Sequence, residues 1–165
     1  MMFEAQTEWI APDNFPDLSG YKLIAIDLET KDPNLKSKGS GAVIGNGEII
    51  GVAVAVDGWC KYYPFGHEGG GNLDKKRILE WVKDVCATEA TKIFHNAMYD
   101  ICWLRSYGIK VNGHIVDTMV MASLVDENRM RYTLNALSWE YLGEGKSETT
   151  LNEIAKNWGI DPKAE

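Results

Sequence analysis

Cysteine is scarce in this chain. The 165 residues hold three, Cys60, Cys86 and Cys102, an odd number with no Cys-xx-Cys spacing. That argues against a thiolate metal site and for a reducing compartment, with the cytoplasm expected. Positive charge is also short: 17 Lys and Arg stand against 24 Asp and Glu, a net charge of −7. A protein that grips nucleic acid through a broad basic surface would show the opposite balance. An enzyme that holds one strand end through metal ions is not excluded, because the charge that matters there is the metal's. No apolar run approaches the length of a membrane span. Residues 1–9 carry Glu4 and Glu8 and no basic cluster, so they form neither a secretory signal nor a transit peptide. Gly39, Gly41 and Gly45 lack the Gly-Lys-Ser/Thr ending of a phosphate loop and read as a flexible connection.

What is present is an ordinary globular composition, 45% apolar and 25% charged, sufficient for one domain. Residues 1–20, punctuated by Pro12, Asn14, Pro16 and Gly20, read as a loose leader, and residues 21–165 as the domain. Leu23 to Ile26 reads as a strand buried on both faces. Residues 31–47 read as a mobile connection rich in Lys, Ser and Gly. Strands follow at 48–56 and 59–63 around an Asp57-Gly58 hairpin turn. A helix over 72–87 has Asn72 or Asp74 as its cap. A strand at 91–94 precedes a helix over 97–107, then a short strand ends at Asp117, which can cap a helix to about Val125. Helices over 134–142 and 150–158 complete the pattern. The expected fold is α/β, a mixed sheet with an antiparallel hairpin at one side and helices on its faces.

The chemistry gathers at a few acids. Asp27 and Glu29 follow the first apolar run and, two apart, project from the same side of their strand. Asn96 and Asp100 straddle a strand-to-helix junction, and the preceding strand delivers that helix start toward the same sheet edge. Three carboxylates in one pocket repel, and a divalent cation removes the conflict. Oxygen-only ligands suit Mg²⁺ or Mn²⁺. Two such ions side by side suit phosphodiester hydrolysis. Taken singly, Asp-x-Glu is often only a strand end, and Asn-xxx-Asp only a cap.

The segment IAIDLET (24–30) resembles the first motif of the DEDD superfamily of 3′–5′ exonucleases, and HNAMYDICWL (95–104) resembles the second. KYYPFGHE (61–68), IVDTMVMASLV (115–125), TLNALSWEYLG (133–143) and TTLNEIA (149–155) are similar to segments of the proofreading domain of family A DNA polymerases of the DNA polymerase I type. That resemblance implies an RNase H-like, DnaQ-like fold and two-metal removal of nucleotides from a DNA 3′ end. By motif position Asp27 would bridge both ions, Glu29 would bind the first, and Asp100 would hold the second through water. Thr30 and Asn96 would contact the terminal nucleotide. Leu151 falls where the family places an apolar wedge, or is helix core; Arg131 falls near a phosphate-contacting residue, or is a solvated arginine. The implied partners are a single-stranded DNA 3′ end and a polymerase domain in cis.

The family's third motif, Tyr-xxx-Asp or His-xxx-Asp, has no match after Asp117. The expectation is therefore a domain lacking its C-terminal helix, nearly inactive alone, with an exposed apolar face that favours self-association. Trimming of RNA 3′ ends, as in RNase D relatives, and a catalytically inactive binding or supporting module remain as alternatives.

Overall fold

The computed structural model describes residues 10–68 and 71–145. Two compact units divide at Met121, residues 1–121 and 122–165.

The first unit is built on a five-stranded mixed sheet in the order β3-β2-β1-β4-β5. Strand β1 (Leu23–Lys31) pairs antiparallel with β2 (Glu48–Val56), which pairs antiparallel with β3 (Trp59–Pro64) across the Asp57-Gly58 turn. Gly58 takes the left-handed conformation that this tight turn requires. On its other side β1 pairs parallel with β4 (Thr91–Phe94), and β4 pairs parallel with β5 (Ile115–Asp117). The helices are α1 (Leu35–Lys38), α2 (Gly41–Ile44), α3 (Lys75–Ala87), α4 (Ala97–Ser106), α5 (Thr118–Val125) and α6 (Leu134–Leu142).

The core comprises Ile24, Ile26 and Leu28 of β1, Val52 and Val54 of β2, Ile78 and Val82 of α3, and Leu104 of α4. In α3 the apolar positions recur at helical spacing, and Asp74 Oδ1 caps the start by accepting from Arg77 N at 2.7 Å. Asn72, the other candidate cap, instead pairs with the His67 backbone. The buried Lys92 of β4 donates to the carbonyls of Thr88, Ala90 and Asn112, which tethers the α3 exit to the sheet.

Three expectations need correction. First, β1 is not buried on both faces: Ile24, Ile26 and Leu28 are buried while Asp27 and Glu29, on the alternate positions, are exposed. It also runs on to Lys31, so the two acids lie within the strand. Second, residues 31–47 are not a featureless connection. They form α1 and α2, anchored where Asp32 Oδ2 accepts from Gly41 N at 3.0 Å. A side chain at Gly41 would collide with the Asn46 carbonyl, so glycine there serves a close approach of backbone rather than flexibility. Third, the described part of the leader is packed. Leu18 is buried, Phe15 stacks on Tyr63 at 5.3 Å, and Trp81 Nε1 donates to the Pro16 carbonyl at 2.9 Å. Aromatic burial outweighs the loop-forming prolines.

The described part of the second unit is held by Arg129. Its guanidinium binds both carboxylate oxygens of Glu140 and lies 5.0 Å from the Tyr141 ring centre. Thr133 Oγ1 accepts from Ala136 N to cap α6, and Gly143 closes it in the left-handed conformation. Leu124, Val125, Met130, Trp139 and Leu142 are exposed. The helix expected over 150–158 lies outside the described residues.

Candidate active site

The first acidic side chain is placed by a gap in strand pairing. Parallel pairing of β4 with β1 covers only Leu23 to Ala25. Beyond Phe94 the chain leaves the sheet through Asn96, at φ 69° and ψ 53°, and enters α4. The backbone of β1 past Ala25 would then lack a partner on that side. Asp100, one turn into α4, takes this place: its carboxylate accepts the Leu28 N–H. The residue is 3% exposed.

That position sets its charge. Burial, and then the neighbouring Asp27 carboxylate, push the Asp100 pKa up to about 7, against the pull of the Leu28 N–H. Asp117 and Glu29 add smaller repulsions. The structure thus brings Asp27, Glu29 and Asp100 within electrostatic reach, with Asp27 the stronger partner. Glu29 also acts on Tyr62, whose hydroxyl is pushed up to about 12 by burial and by that carboxylate. Tyr62 lies across Gly51, the residue paired with Glu29 on β2; a Cβ at Gly51 would meet the Tyr62 hydroxyl at 2.0 Å. Tyr62 OH in turn pairs with His67 Nε2.

A β-bulge separates Glu29 from Thr30 and shifts the register against β2. Bulges of this kind re-aim side chains beside sites. Thr30 Oγ1 lies 2.7 Å from Tyr99 OH, which donates to Asp32 Oδ2 at 3.1 Å. Asn96 opens α4 as a non-glycine residue in the left-handed region and makes no side-chain cap bond. Arg131 is exposed in the second unit. Leu151 lies outside the described residues.

Two residues near the acids were not singled out as site neighbours in the sequence. Tyr99 lay inside the second motif and was readable as a neighbour of Asp100. Asp117 was legible as a cap for α5 but not as a partner of α4, because nothing local signals contact across 17 or more residues.

Among the described residues, no three His, Cys, Asp or Glu side chains are grouped so as to hold a metal ion as they stand. The chemistry of the donors nevertheless fits a hard divalent cation. They are carboxylates only, and burial followed by the Asp27 carboxylate raises the pKa of the buried one, a conflict that a bound cation would relieve.

Comparison with known proteins carries the remaining step. The 3′–5′ exonuclease family matches residues 5–165. A DNA-directed DNA polymerase of Pseudomonas phage M6 is 34% identical over 169 residues, covering 95% of this chain and 25% of the phage protein. DNA polymerase DpoZ of Salmonella phage PMBT28 is 29% identical, covering 88% of this chain and 21% of that protein. The chain thus spans about a quarter of the length of these curated relatives. Brucella melitensis NrnC with bound Mg²⁺ shares the fold, with a TM-score of 0.57 at 19% identity over 85% of this chain and 62% of that one. With its mixed sheet, its acids on β1 and α4, and a family match over nearly its whole length, the chain belongs to the 3′–5′ exonuclease family of family A DNA polymerases.

Proposed function

We propose that Asp27, Glu29 and Asp100 form the hydrolytic centre of this exonuclease and that it removes nucleotides from single-stranded DNA 3′ ends. One observation carries the assignment: Asp100 is buried against Asp27 with its pKa raised to about 7, a charge conflict placed where strand pairing lapses. Conflicts of that kind concentrate at functional sites. Asp27, Glu29 and Asp100 would hold Mg²⁺ or Mn²⁺, which supplies charge neutralisation and water activation for phosphodiester hydrolysis. The protein's own part is positioning. Asp100 is fixed by the Leu28 N–H, and Glu29 is set beside Tyr62 over Gly51. Thr30 is held by Tyr99, and Asn96 presents its amide from a fixed left-handed turn. Thr30 and Asn96 are assigned to the terminal nucleotide. Leu151 and Arg131 are assigned to the strand behind it.

The names of the relatives support a polymerase region in cis as the source of the strand end, so that the site proofreads. The exposed Leu124, Val125, Met130, Trp139 and Leu142 support self-association of the isolated chain. The decisive experiment substitutes Asp27→Ala in the complete protein that carries this chain. Nucleotide release from a single-stranded 3′ end with Mg²⁺ should disappear while the circular dichroism spectrum is retained. A near-normal rate would end the assignment.

A further inference from the structure

Asp117 is the last residue of β5, paired in register with Phe94 at the end of β4. Its two carboxylate oxygens collect four backbone N–H groups. Oδ2 accepts from Ala97 N at 2.8 Å, and Oδ1 accepts from Asn96 N at 3.1 Å, Met119 N at 2.9 Å and Val120 N at 3.4 Å. The first two belong to the entry of α4, the second two to the entry of α5. Helix starts leave such groups unpaired, and a side-chain acceptor ordinarily serves one helix. Here a single carboxylate serves two, and the α4 start has no other side-chain cap.

The neighbouring residue completes the clamp. Thr118 Oγ1 donates to the Phe94 carbonyl at 3.1 Å and lies 2.9 Å from His95 Nδ1. Residues 94 to 97 are therefore held at their carbonyl, ring and amide positions by two consecutive residues at the junction of β5 and α5. Between these anchors sits Asn96, in the left-handed conformation that a non-glycine residue adopts at a cost. The direction in which α4 leaves Asn96 decides where Asp100 meets β1.

We propose that Asp117 is a positioning residue for the exonuclease site: by clamping the N–H groups of Asn96 and Ala97, it holds the left-handed turn that presents Asp100 to Asp27. The proposal rests on the assignment of Asp100 to the site. Asp117 does not touch the reacting atoms in this scheme. It acts through the backbone, as partners behind metal ligands do.

The test is a cycle in the complete protein, read as the Asp100-dependent affinity for Mn²⁺ by calorimetry and as exonuclease kcat and KM. Asp117→Ala should weaken Mn²⁺ binding about tenfold and lower kcat more than it raises KM. Asp117→Asn keeps one acceptor oxygen but sets an NH₂ donor against the N–H groups served by the other, so it should weaken Mn²⁺ binding by a smaller factor, about threefold, and it carries the test should the alanine variant not fold; an unchanged affinity in it then overturns the proposal. Asn96→Gly supplies the discriminating arm. Glycine adopts the left-handed turn without an anchor, so adding Asp117→Ala to Asn96→Gly should cost only about twofold in Mn²⁺ affinity. A residue that merely supports the fold would show the same loss in both backgrounds, and that result overturns the proposal. An unchanged affinity in Asp117→Ala overturns it as well. If Asp100→Ala leaves Mn²⁺ binding intact, the site assignment falls and the positioning role with it. If Asp100 is required and Asp117 is not, only the positioning role falls.

Discussion

Asp100 and Asp117 lie 17 residues apart in one fold, and their surroundings treat the same side chain in opposite ways. Asp100 is buried among other acids, with one backbone N–H for compensation, and its pKa rises to about 7. Asp117 is half-buried among four N–H groups at two helix starts, and these hold its carboxyl below the usual value despite partial burial. One region leaves a negative charge unsatisfied; the other satisfies it several times over. Unresolved charge conflicts concentrate at functional sites, and this supports the proposed assignment of Asp100 to the site.

The largest effect should come from breaking the unsatisfied side. Asp100→Asn keeps the shape and an acceptor for the Leu28 N–H but removes the charge. Nucleotide release by the complete protein should fall at least ~10²-fold, as when a preorganised electrostatic group is removed. A fall of less than threefold would show that Asp100 is only a strand-end surrogate.

The same contrast predicts opposite slopes of stability with pH. In metal-free buffer the folded state keeps the Asp100 proton up to about 7, whereas the unfolded chain releases it near 3.8. Stability should therefore fall as pH rises from about 4 to about 7, by roughly 4 kcal/mol at most from this group. Asp100→Asn should flatten that slope, and millimolar Mg²⁺ should reverse part of it. Asp117 works the other way. Its folded pKa is depressed, so its stabilisation is present above the unfolded value near 3.8 and is lost as pH falls through the folded value. Chemical denaturation at a series of pH values in chelator, for the parent and both asparagine variants, separates the two slopes. A parent curve that rises between pH 4 and 7 would contradict the assigned burial of Asp100.

Both regions were only partly legible in the sequence. That Asp27 and Glu29, two apart, share one side of their strand was readable, because strand periodicity is a local rule; that this side faces solvent was not, since the apolar run before them read as buried on both faces. The Asp57-Gly58 hairpin and a cap at Asn72 or Asp74 were readable for the same reason. Two features escaped that kind of reading. The packing of residues 14–18 depends on aromatic contacts with Tyr63 and Trp81, remote in sequence. The folding of residues 31–47 depends on Asp32 meeting Gly41 and Tyr99. In the proposed site, Asp27, Glu29 and Asp100 carried a motif, whereas the second set of donors to Asp117 came from a strand-to-helix junction 20 residues away. Sequence spacing signals what a residue does for its own element, and is silent on what it does for another.

The smallest effect sharpens the comparison at Asn96, which stands between the two acids. Its φ of 69° costs any residue with a Cβ, and asparagine less than most. Asn96→Gly removes that cost but enlarges the entropy of the unfolded chain, so the two terms nearly cancel and stability should change by less than ~0.5 kcal/mol. Asn96→Ala keeps the Cβ without the local hydrogen bonding open to an amide, and should cost about 1 kcal/mol. The two variants thus differ in fold stability while both lack the amide. If the amide serves the terminal nucleotide, exonuclease KM should rise in both by a similar factor. If Asn96 matters only as a turn, the glycine variant should keep the parent KM and the alanine variant alone should suffer. Equilibrium unfolding and initial rates on one single-stranded oligonucleotide decide between these outcomes, and a glycine variant with unaltered kinetics would remove Asn96 from the substrate-contacting set while leaving the Asp117 clamp in place.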